Sequence, residues 1–292
     1  MSQITIDLRD TDNVIYMAIS YIPLAIIFLG LLGNTSSFMI FSFNKEMNTF
    51  SSIMYLSFIA VIDTIGLFVW NLNHFLQPNF NIYIEKFNLF NCKFFTFLQY
   101  FTLQSSGFLY TFISIDRYFS VMSKPGSLSR QLPFGTSKSA MVWSICILIC
   151  VFLFNTHLLV LNGHYEETFT NYNVVNGTDL VFKIKESLKL ACYAAPSFNI
   201  WPLWEIVHIA VHTFIPFIIM AIFNTRLIMN GLLGIKKIKT TKKISLTISL
   251  TIITFSFIIM TSPANFVYGF YNKELLATKY GRALLTSIDS LM

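Results

Sequence analysis

The chain has 292 residues, of which 54% are hydrophobic, 16% are aromatic and only 12% are charged. A soluble globular domain carries about twice that charged fraction, so water cannot be the main solvent of this fold. The net charge of +6 would suit nucleic acid in a soluble protein, but the basic residues gather in particular loops, as the topology of a membrane protein requires. We therefore expect an integral membrane protein without a nucleic-acid partner.

Apolar stretches long enough to cross about 30 Å of hydrocarbon recur along the chain. They lie at about 14–43, 52–77, 89–122, 138–161, 203–233 and 244–271, and a shorter stretch runs from about 277 to 292. We expect one all-α domain over residues 1–292, a helix bundle with six full spans and an incomplete seventh. The first stretch is too long for a signal peptide and should remain as an anchor.

Basic residues concentrate in the loops after the first, third and fifth spans, with the densest run from Lys236 to Lys243. The positive-inside rule places these loops in the cytoplasm and the amino terminus outside the plasma membrane. The run could contact anionic lipid or a protein partner, and retention of topology explains it equally well.

The outer segment from about 162 to 202 is too long for a simple connection. Asn176-Gly177 stands there between two β-prone runs, which predicts a β-hairpin. Asn176-Gly177-Thr178 is also an acceptor for N-linked sugar and agrees with an outer location.

Four cysteines remain to be assigned. Cys92 and Cys192 fall on the outer, oxidising side, so we expect them to form a disulfide. Cys146 and Cys150 lie four residues apart in an apolar span, and we expect buried free thiols there because two sulfurs do not complete a zinc site.

Two polar groups lie where a membrane span disfavours them. Asp63 falls within the second span, which is costly enough to suggest function, although a structural hydrogen-bond node explains it equally well. Asn34 and Ser105 or Ser106 are its expected neighbours. Asp116 and Arg117 stand at the inner end of the third span, about 37 Å from Cys92 along the helix, and predict a local charge pair that a partner could break.

Several of these residues together resemble the rhodopsin-like G-protein-coupled receptors. The markers, in order and at the family's relative spacing, are Gly33, Asn34, Asp63, Cys92, Ser106, Asp116, Arg117, Tyr118, Trp143, Pro216, Phe257 and Pro263. They cover about 230 residues, and their joint spacing is much more specific than Asp-Arg-Tyr alone.

The resemblance implies a seven-helix receptor, not an enzyme, that couples to a heterotrimeric G protein through Asp116, Arg117 and Tyr118. It further implies an internal sodium ion near Asn34, Asp63 and Ser106, the only cofactor we expect. Pro216, Phe257 and Pro263 would form the helix switch, since proline removes a helix hydrogen bond and permits kinks.

The chain also departs from the family's pattern. Thr261 occupies the usual tryptophan position in the sixth span, Asn224 replaces the fifth-span tyrosine, and Lys243 replaces an acid that often restrains the arginine. Arg117 should then be restrained only by Asp116. The usual Asn-Pro-x-x-Tyr segment is absent before Met292, so we expect a truncated seventh span.

The ligand pocket should include Gln99 and Leu103 of the third span. Amine receptors of this family carry an aspartate at the position of Gln99, so a neuropeptide of the FMRFamide-like type is the favoured ligand. Glu205, His208 and His212 share one face of the fifth span. Pocket lining is a better interpretation than metal binding, because no second Glu-x-x-His exists.

Four alternatives remain open at this point. A chemosensory receptor or an opsin would share the fold, and a retinal lysine could lie beyond Met292. A secondary transporter would need several midplane charges or paired broken helices, whereas only Asp63 lies at that depth. A fragment that does not signal is the fourth.

Overall fold

A computed structural model describes residues 18–44, 49–122, 132–173, 181–193 and 203–232, together with 248, 251–253, 255–257 and 259. Its helices are α1 (Tyr21–Phe43), α2 (Ser51–Phe80), α3 (Leu89–Met122), α4 (Ser137–Leu161), α5 (Glu205–Ile209) and α6 (Ile215–Leu232). A 3-10 turn (Ile84–Lys86) joins α2 to α3, and a two-stranded sheet follows α4. The described residues from 248 onward are helical.

Four segments of the described chain are long and apolar enough to cross a membrane: Tyr21–Phe43, Ser51–Phe80, Ser137–Leu161 and Glu205–Met229. The helix α2 is longer than the apolar stretch of about 52–77, because it continues through Pro78 to Phe80. It ends where Asn81 adopts a left-handed conformation (φ 54°) and donates its backbone N–H to the Gln77 carbonyl, a common way to cap a helix.

The third helix is central to the bundle, and its bounds match the predicted 89–122. It packs against α2, α4 and α6, and its buried side chains include many hydroxyls and amides. Thr96, Thr102 and Thr111 satisfy theirs by donating to the carbonyl four residues earlier at 2.8–2.9 Å. These hydroxyls and amides make α3 less apolar than the other long helices. The helix is nevertheless buried, because such hydroxyls bond to its own backbone.

An apolar cluster holds α2, α3 and α4 together toward the end of the bundle that carries Asp116. Its fully buried members are Tyr55, Ile59, Leu109, Ile113, Ala140, Ile147 and Val151. Because lipid is as apolar as these side chains, close packing rather than water exclusion holds such helices together.

The fifth span is not a uniform α-helix. A π-helical turn, Ala210–Phe214, lies between α5 and α6. Pro216 lies two residues after this turn, and its missing N–H cannot continue the regular hydrogen-bond ladder. Such π turns often interrupt helices at functional positions.

The predicted hairpin is confirmed. Strand β1 (His164–Asn173) pairs antiparallel with β2 (Val181–Ala191), from His164 opposite Ala191 to Asn173 opposite Val181. A register shift occurs between Thr168 and Phe169. The turn with Asn176 lies outside the described residues.

The surface of the bundle that faces lipid is apolar, as contact with lipid requires. The free thiols Cys146 and Cys150 lie on this surface of α4. The expectation that they are buried was therefore wrong: α4 is apolar on all sides, so its sequence does not reveal which face packs against α3.

Candidate functional site

The disulfide attaches the hairpin to the start of α3. Cys92 and Cys192 are bonded, with Cα atoms 5.8 Å apart and a sequence separation of 100, which confirms the predicted pair. Gly163 closes against this bridge with φ +76°, and a Cβ at that position would lie 2.7 Å from Cys92 Sγ. Only glycine satisfies both the backbone and the contact.

A hydrogen-bonded cluster lies next to the disulfide, and we name it the hairpin clamp: Glu85, Gln99, Asn162 and Tyr193. The Tyr193 hydroxyl donates to Gln99 Oε1 at 2.8 Å, and its backbone N–H donates to Asn162 Oδ1 at 2.9 Å. Tyr193 adopts φ 63°, a rare conformation for a residue other than glycine. The predicted ligand residue Gln99 is therefore contacted by the segment that follows the disulfide.

Glu85 supplies the charge of the hairpin clamp. Its Oε2 accepts a hydrogen bond from Asn73 Nδ2 at 2.8 Å and lies 3.5 Å from the Tyr193 hydroxyl. Burial raises the pKa of the Glu85 carboxyl, and the charges of Lys86 and His74 offset part of that rise. Burial, followed by the charge of Glu85, raises the pKa of Tyr193 well above its ordinary value.

The sequence did not identify Glu85, Asn162 and Tyr193 as residues of the site. Their contacts join chain positions up to 108 residues apart, and no local motif predicts them. The sequence offers one signal for Tyr193: it comes directly after Cys192, which was expected to form a disulfide with Cys92 of α3.

The predicted face of the fifth span does point into the bundle. Glu205 Oε2 accepts a hydrogen bond from the Tyr100 hydroxyl at 2.7 Å. His208 and His212 are almost fully buried, and their rings stack with centroids 5.2 Å apart.

A second polar network joins α3, α4 and the fifth span. Gln104 Nε2 donates to His208 Nδ1 at 3.0 Å, while Asn155 Nδ2 donates to Gln104 Oε1 at 2.7 Å. All three side chains are buried. Interhelical hydrogen bonds of this kind are a principal attraction between helices in lipid.

Asp63 meets the neighbours that its position predicted. Ser106 Oγ donates to Asp63 Oδ1 at 2.5 Å. Asn34 joins them in the lining of a cavity of about 220 Å³, which α1, α2, α3 and Phe257 of the sixth span enclose. Carboxylate, hydroxyl and amide oxygens are the donors that hard cations prefer, so the residues present fit a sodium ion.

Asp116 and Arg117 are held by two neighbouring serines of α2. Ser51 Oγ donates to Asp116 Oδ2 at 2.5 Å, and the Gly135 backbone N–H donates to Asp116 Oδ1 at 2.7 Å. Arg117 donates through Nε to the Ser52 hydroxyl. In the described part of the chain no ion pair within 4 Å joins Asp116 to Arg117, so the expectation that Asp116 alone restrains Arg117 was wrong.

The remaining predicted residues are placed as follows. Tyr118 packs against Phe223 with ring centroids 5.2 Å apart, which joins α3 to α6. Phe257 lies 4.8 Å from Tyr110 and 6.0 Å from His212, measured between ring centroids. Leu103 is buried beside the cavity that holds Asp63. Asn176, Pro263 and the basic run 236–243 lie outside the described residues.

These features define a class: a bundle of membrane-spanning helices with a disulfide-tethered hairpin at one end and an Asp-Arg-Tyr segment at the other. A model of the seven-transmembrane receptors of the rhodopsin family matches residues 33–277. The chain belongs to this family and is a multi-pass protein of the plasma membrane. No curated protein with which the chain was compared matches it.

Proposed function

We propose that the chain is a receptor, and not an enzyme, that transduces the binding of an extracellular peptide to an intracellular G protein. One observation carries this proposal: α3 is a single helix of 34 residues, about 51 Å long, that takes part in both polar sites. Gln99 lies under the hairpin at one end, and Asp116 and Arg117 meet α2 near the other.

At the G-protein end, Asp116, Arg117 and Tyr118 form the proposed coupling site. Release of the Asp116 and Arg117 side chains would free the arginine for the G protein. Ser51 and Ser52 are part of this restraint, because each makes a buried hydrogen bond to one of the two residues. Activation would therefore require movement of α2 relative to α3.

At the hairpin end, the proposed ligand pocket contains Gln99, Leu103, Glu205, His208 and His212. Two features favour a peptide over a small amine. The pocket has a neutral amide at Gln99. Its carboxylate among the described residues is Glu205 of the fifth span, which already accepts a hydrogen bond from Tyr100. The segment that follows the hairpin reaches the pocket as well, since the Tyr193 hydroxyl bonds to Gln99.

The switch between the two ends would use the fifth and sixth spans. The π turn and Pro216 leave the fifth span without a regular hydrogen-bond ladder at one position. Phe257 contacts both α3 and the fifth span there. We extend this switch to Pro263 from the family resemblance.

The cavity beside Asp63 would hold a sodium ion through Asn34, Asp63 and Ser106. A bound cation there would neutralise the carboxylate. The short Ser106 to Asp63 hydrogen bond orients one carboxylate oxygen and leaves the other for further ligands.

The test is nucleotide exchange on purified G proteins, with the receptor in lipid nanodiscs and a peptide library as the source of agonist. We expect peptide-dependent exchange that Arg117→Ala abolishes. Lys138→Ala is the matched control, because Lys138 is an exposed cation on α4. Exchange by Arg117→Ala at the parent's level would contradict the coupling proposal.

The orientation has its own test, since we propose that the hairpin faces the extracellular side. Asn176→Gln should abolish a shift in electrophoretic mobility on deglycosylation. If Asn176 carries no sugar but the hairpin reacts with a cell-impermeant reagent, the proposed orientation holds and only the glycosylation site is refuted. A hairpin protected from that reagent in intact cells would contradict the orientation.

A further inference from the structure

The hairpin has an open edge on each of its two strands. Among the described residues, β1 and β2 pair only with each other. Such an edge presents a row of backbone N–H and C=O groups that readily accepts a further extended chain. The ladder of β2 is regular over residues 187–191, because its register shift lies before them. This stretch can therefore receive a third strand of about five residues.

The side chains of this stretch alternate in character. Leu188 and Leu190 lie on one face and Lys189 on the other, since successive strand residues point to opposite faces. Leu188 is 59% exposed, and Tyr165, which pairs with Leu190, is 50% exposed. Lys189 is exposed as well, and within the described part of the chain no ion pair within 4 Å includes it. A matching strand needs apolar residues on one face and a negative charge on the other.

The amino-terminal segment of the chain has this pattern. Residues 1–17 lie outside the described residues, and positions 4–8 among them read Ile-Thr-Ile-Asp-Leu. Apolar and polar side chains alternate there, which is the sequence pattern of a half-buried strand. Asp7 stands between Ile6 and Leu8, in the same way as Lys189 stands between two leucines.

Charge selects β2 over β1 as the partner of this segment. Residues 4–12 carry three aspartates and one arginine, a net charge of −2. The sequence of β2 has three lysines and one glutamate, whereas β1 has two glutamates and neither lysine nor arginine. Opposite charges on neighbouring strands attract and like charges repel. An acidic strand therefore prefers the edge of β2.

The linker from this segment to α1 is long enough. Asn79 Nδ2 donates to Ser20 Oγ at 2.7 Å, so α1 begins beside the hairpin end of α2. Cys192 Sγ, directly after β2, lies 3.6 Å from the Glu85 carbonyl oxygen. Six residues separate Asn79 from Glu85 and span at most about 22 Å. Twelve residues separate Leu8 from Ser20 and span up to about 40 Å, which is sufficient.

We propose that residues 4–8 add a third strand to the outer edge of β2 and run parallel to it. Because β2 runs toward Cys192, a parallel strand ends near the disulfide and leads on directly to α1. The alternation of side chains sets the register, which pairs Ile6 with Leu188, Asp7 with Lys189 and Leu8 with Leu190. The third strand connects α1 to the hairpin and covers an edge that would otherwise be open to other chains.

Amide hydrogen exchange of the purified receptor, with one molecule in each nanodisc, tests this proposal. Alternate N–H groups of an antiparallel strand face its partner, and the others face outward. We expect the outward-facing amides of residues 187–191 to exchange at least tenfold more slowly than those of β1. The inward-facing amides of both strands report whether the hairpin is folded. Neither agonist nor G protein is present, so the result is independent of the proposed function.

Two proline variants assign the protection to residues 4–8. Ile6→Pro together with Asp7→Pro removes two neighbouring donors, one of which faces β2 in either alignment. Thr11→Pro together with Asp12→Pro is the matched control, because it also exchanges one aspartate and one neutral residue for prolines, but in the linker. The outward-facing amides of β2 should lose their protection in the first variant and keep it in the second.

Charge reversal tests the register. Asp7→Lys and Lys189→Glu should each lower the protection about threefold, because like charges on neighbouring strands destabilise a sheet. The two changes together restore an attractive pair and should restore the protection. Asp10→Lys combined with Lys189→Glu is the control and should not restore it.

Fast exchange of the outward-facing β2 amides in the parent would overturn the proposal. Protection that survives both proline variants, or that both abolish equally, would overturn it as well. Protection that appears only with two receptors in each nanodisc would assign the edge to a second copy of the hairpin instead. If the first proline variant also loses the inward-facing amides, the combined charge reversal decides: recovery supports the third strand, and its absence overturns it.

Discussion

Replacement of Ser51 by alanine should increase signalling in the absence of agonist. Ser51 is buried and donates a 2.5 Å hydrogen bond to Asp116. Hydrogen bonds to charged groups contribute about 1.5–3 kcal/mol. If the bond exists only in the resting conformation, a loss of about 2 kcal/mol shifts the equilibrium toward the active conformation about 30-fold.

The assay is basal nucleotide exchange on G protein, measured with equal amounts of folded receptor in nanodiscs. Ser57→Ala is a close control, because Ser57 is also buried in α2 but donates only to its own helix, at the Ile53 carbonyl. We expect Ser51→Ala to raise basal exchange and Ser57→Ala to leave it near the parent value. Equal basal exchange in the two variants would refute the restraint by Ser51.

Three predictions concern the hairpin end; the first two are measured by thermal unfolding and the third by the yield of folded receptor. Tyr193→Phe removes the hydrogen bond to Gln99 and should cost about 1 kcal/mol, whereas an unchanged midpoint would contradict the hairpin clamp. Burial raises the pKa of the Glu85 carboxyl, so the folded state binds that proton more tightly than the unfolded state, and stability should rise as pH falls from 7 toward 5. Glu85→Gln should lose this part of the pH dependence, and parallel pH profiles of the variant and the parent would contradict the prediction. Gly163→Ala should reduce the yield of folded receptor sharply, because the new Cβ would lie 2.7 Å from Cys92 Sγ and because residue 163 has a φ of +76°. A normal yield would show that the disulfide can move to make room.

The sequence predicted those parts of the fold that follow from local composition. The spans follow from the length of apolar runs, and α3 was predicted at its observed bounds. The hairpin follows from Asn-Gly between β-prone runs. The pairing of Cys92 with Cys192 follows from their shared compartment.

Other parts of the sites depend on contacts between distant segments. Ser51 lies 65 residues from Asp116, and nothing near Ser51 in the sequence identifies its partner. The hairpin clamp depends on the left-handed backbone conformation of Tyr193. That conformation goes with the disulfide at Cys192 and the hydrogen bond to Asn162, which join distant parts of the chain. The π turn before Pro216 could not be predicted, because proline indicates an irregular ladder but not its form.

The π turn at Ala210–Phe214 also sets the rotational offset between the two halves of the fifth span. A π turn holds about one residue more than an α turn, and one residue corresponds to about 100° of rotation. Deleting a single residue there would turn the half that carries Glu205 and His208 by that angle, while the half that packs against Tyr118 keeps its orientation. If the proposed function holds, such a deletion would alter the proposed ligand pocket and leave the proposed coupling site in place.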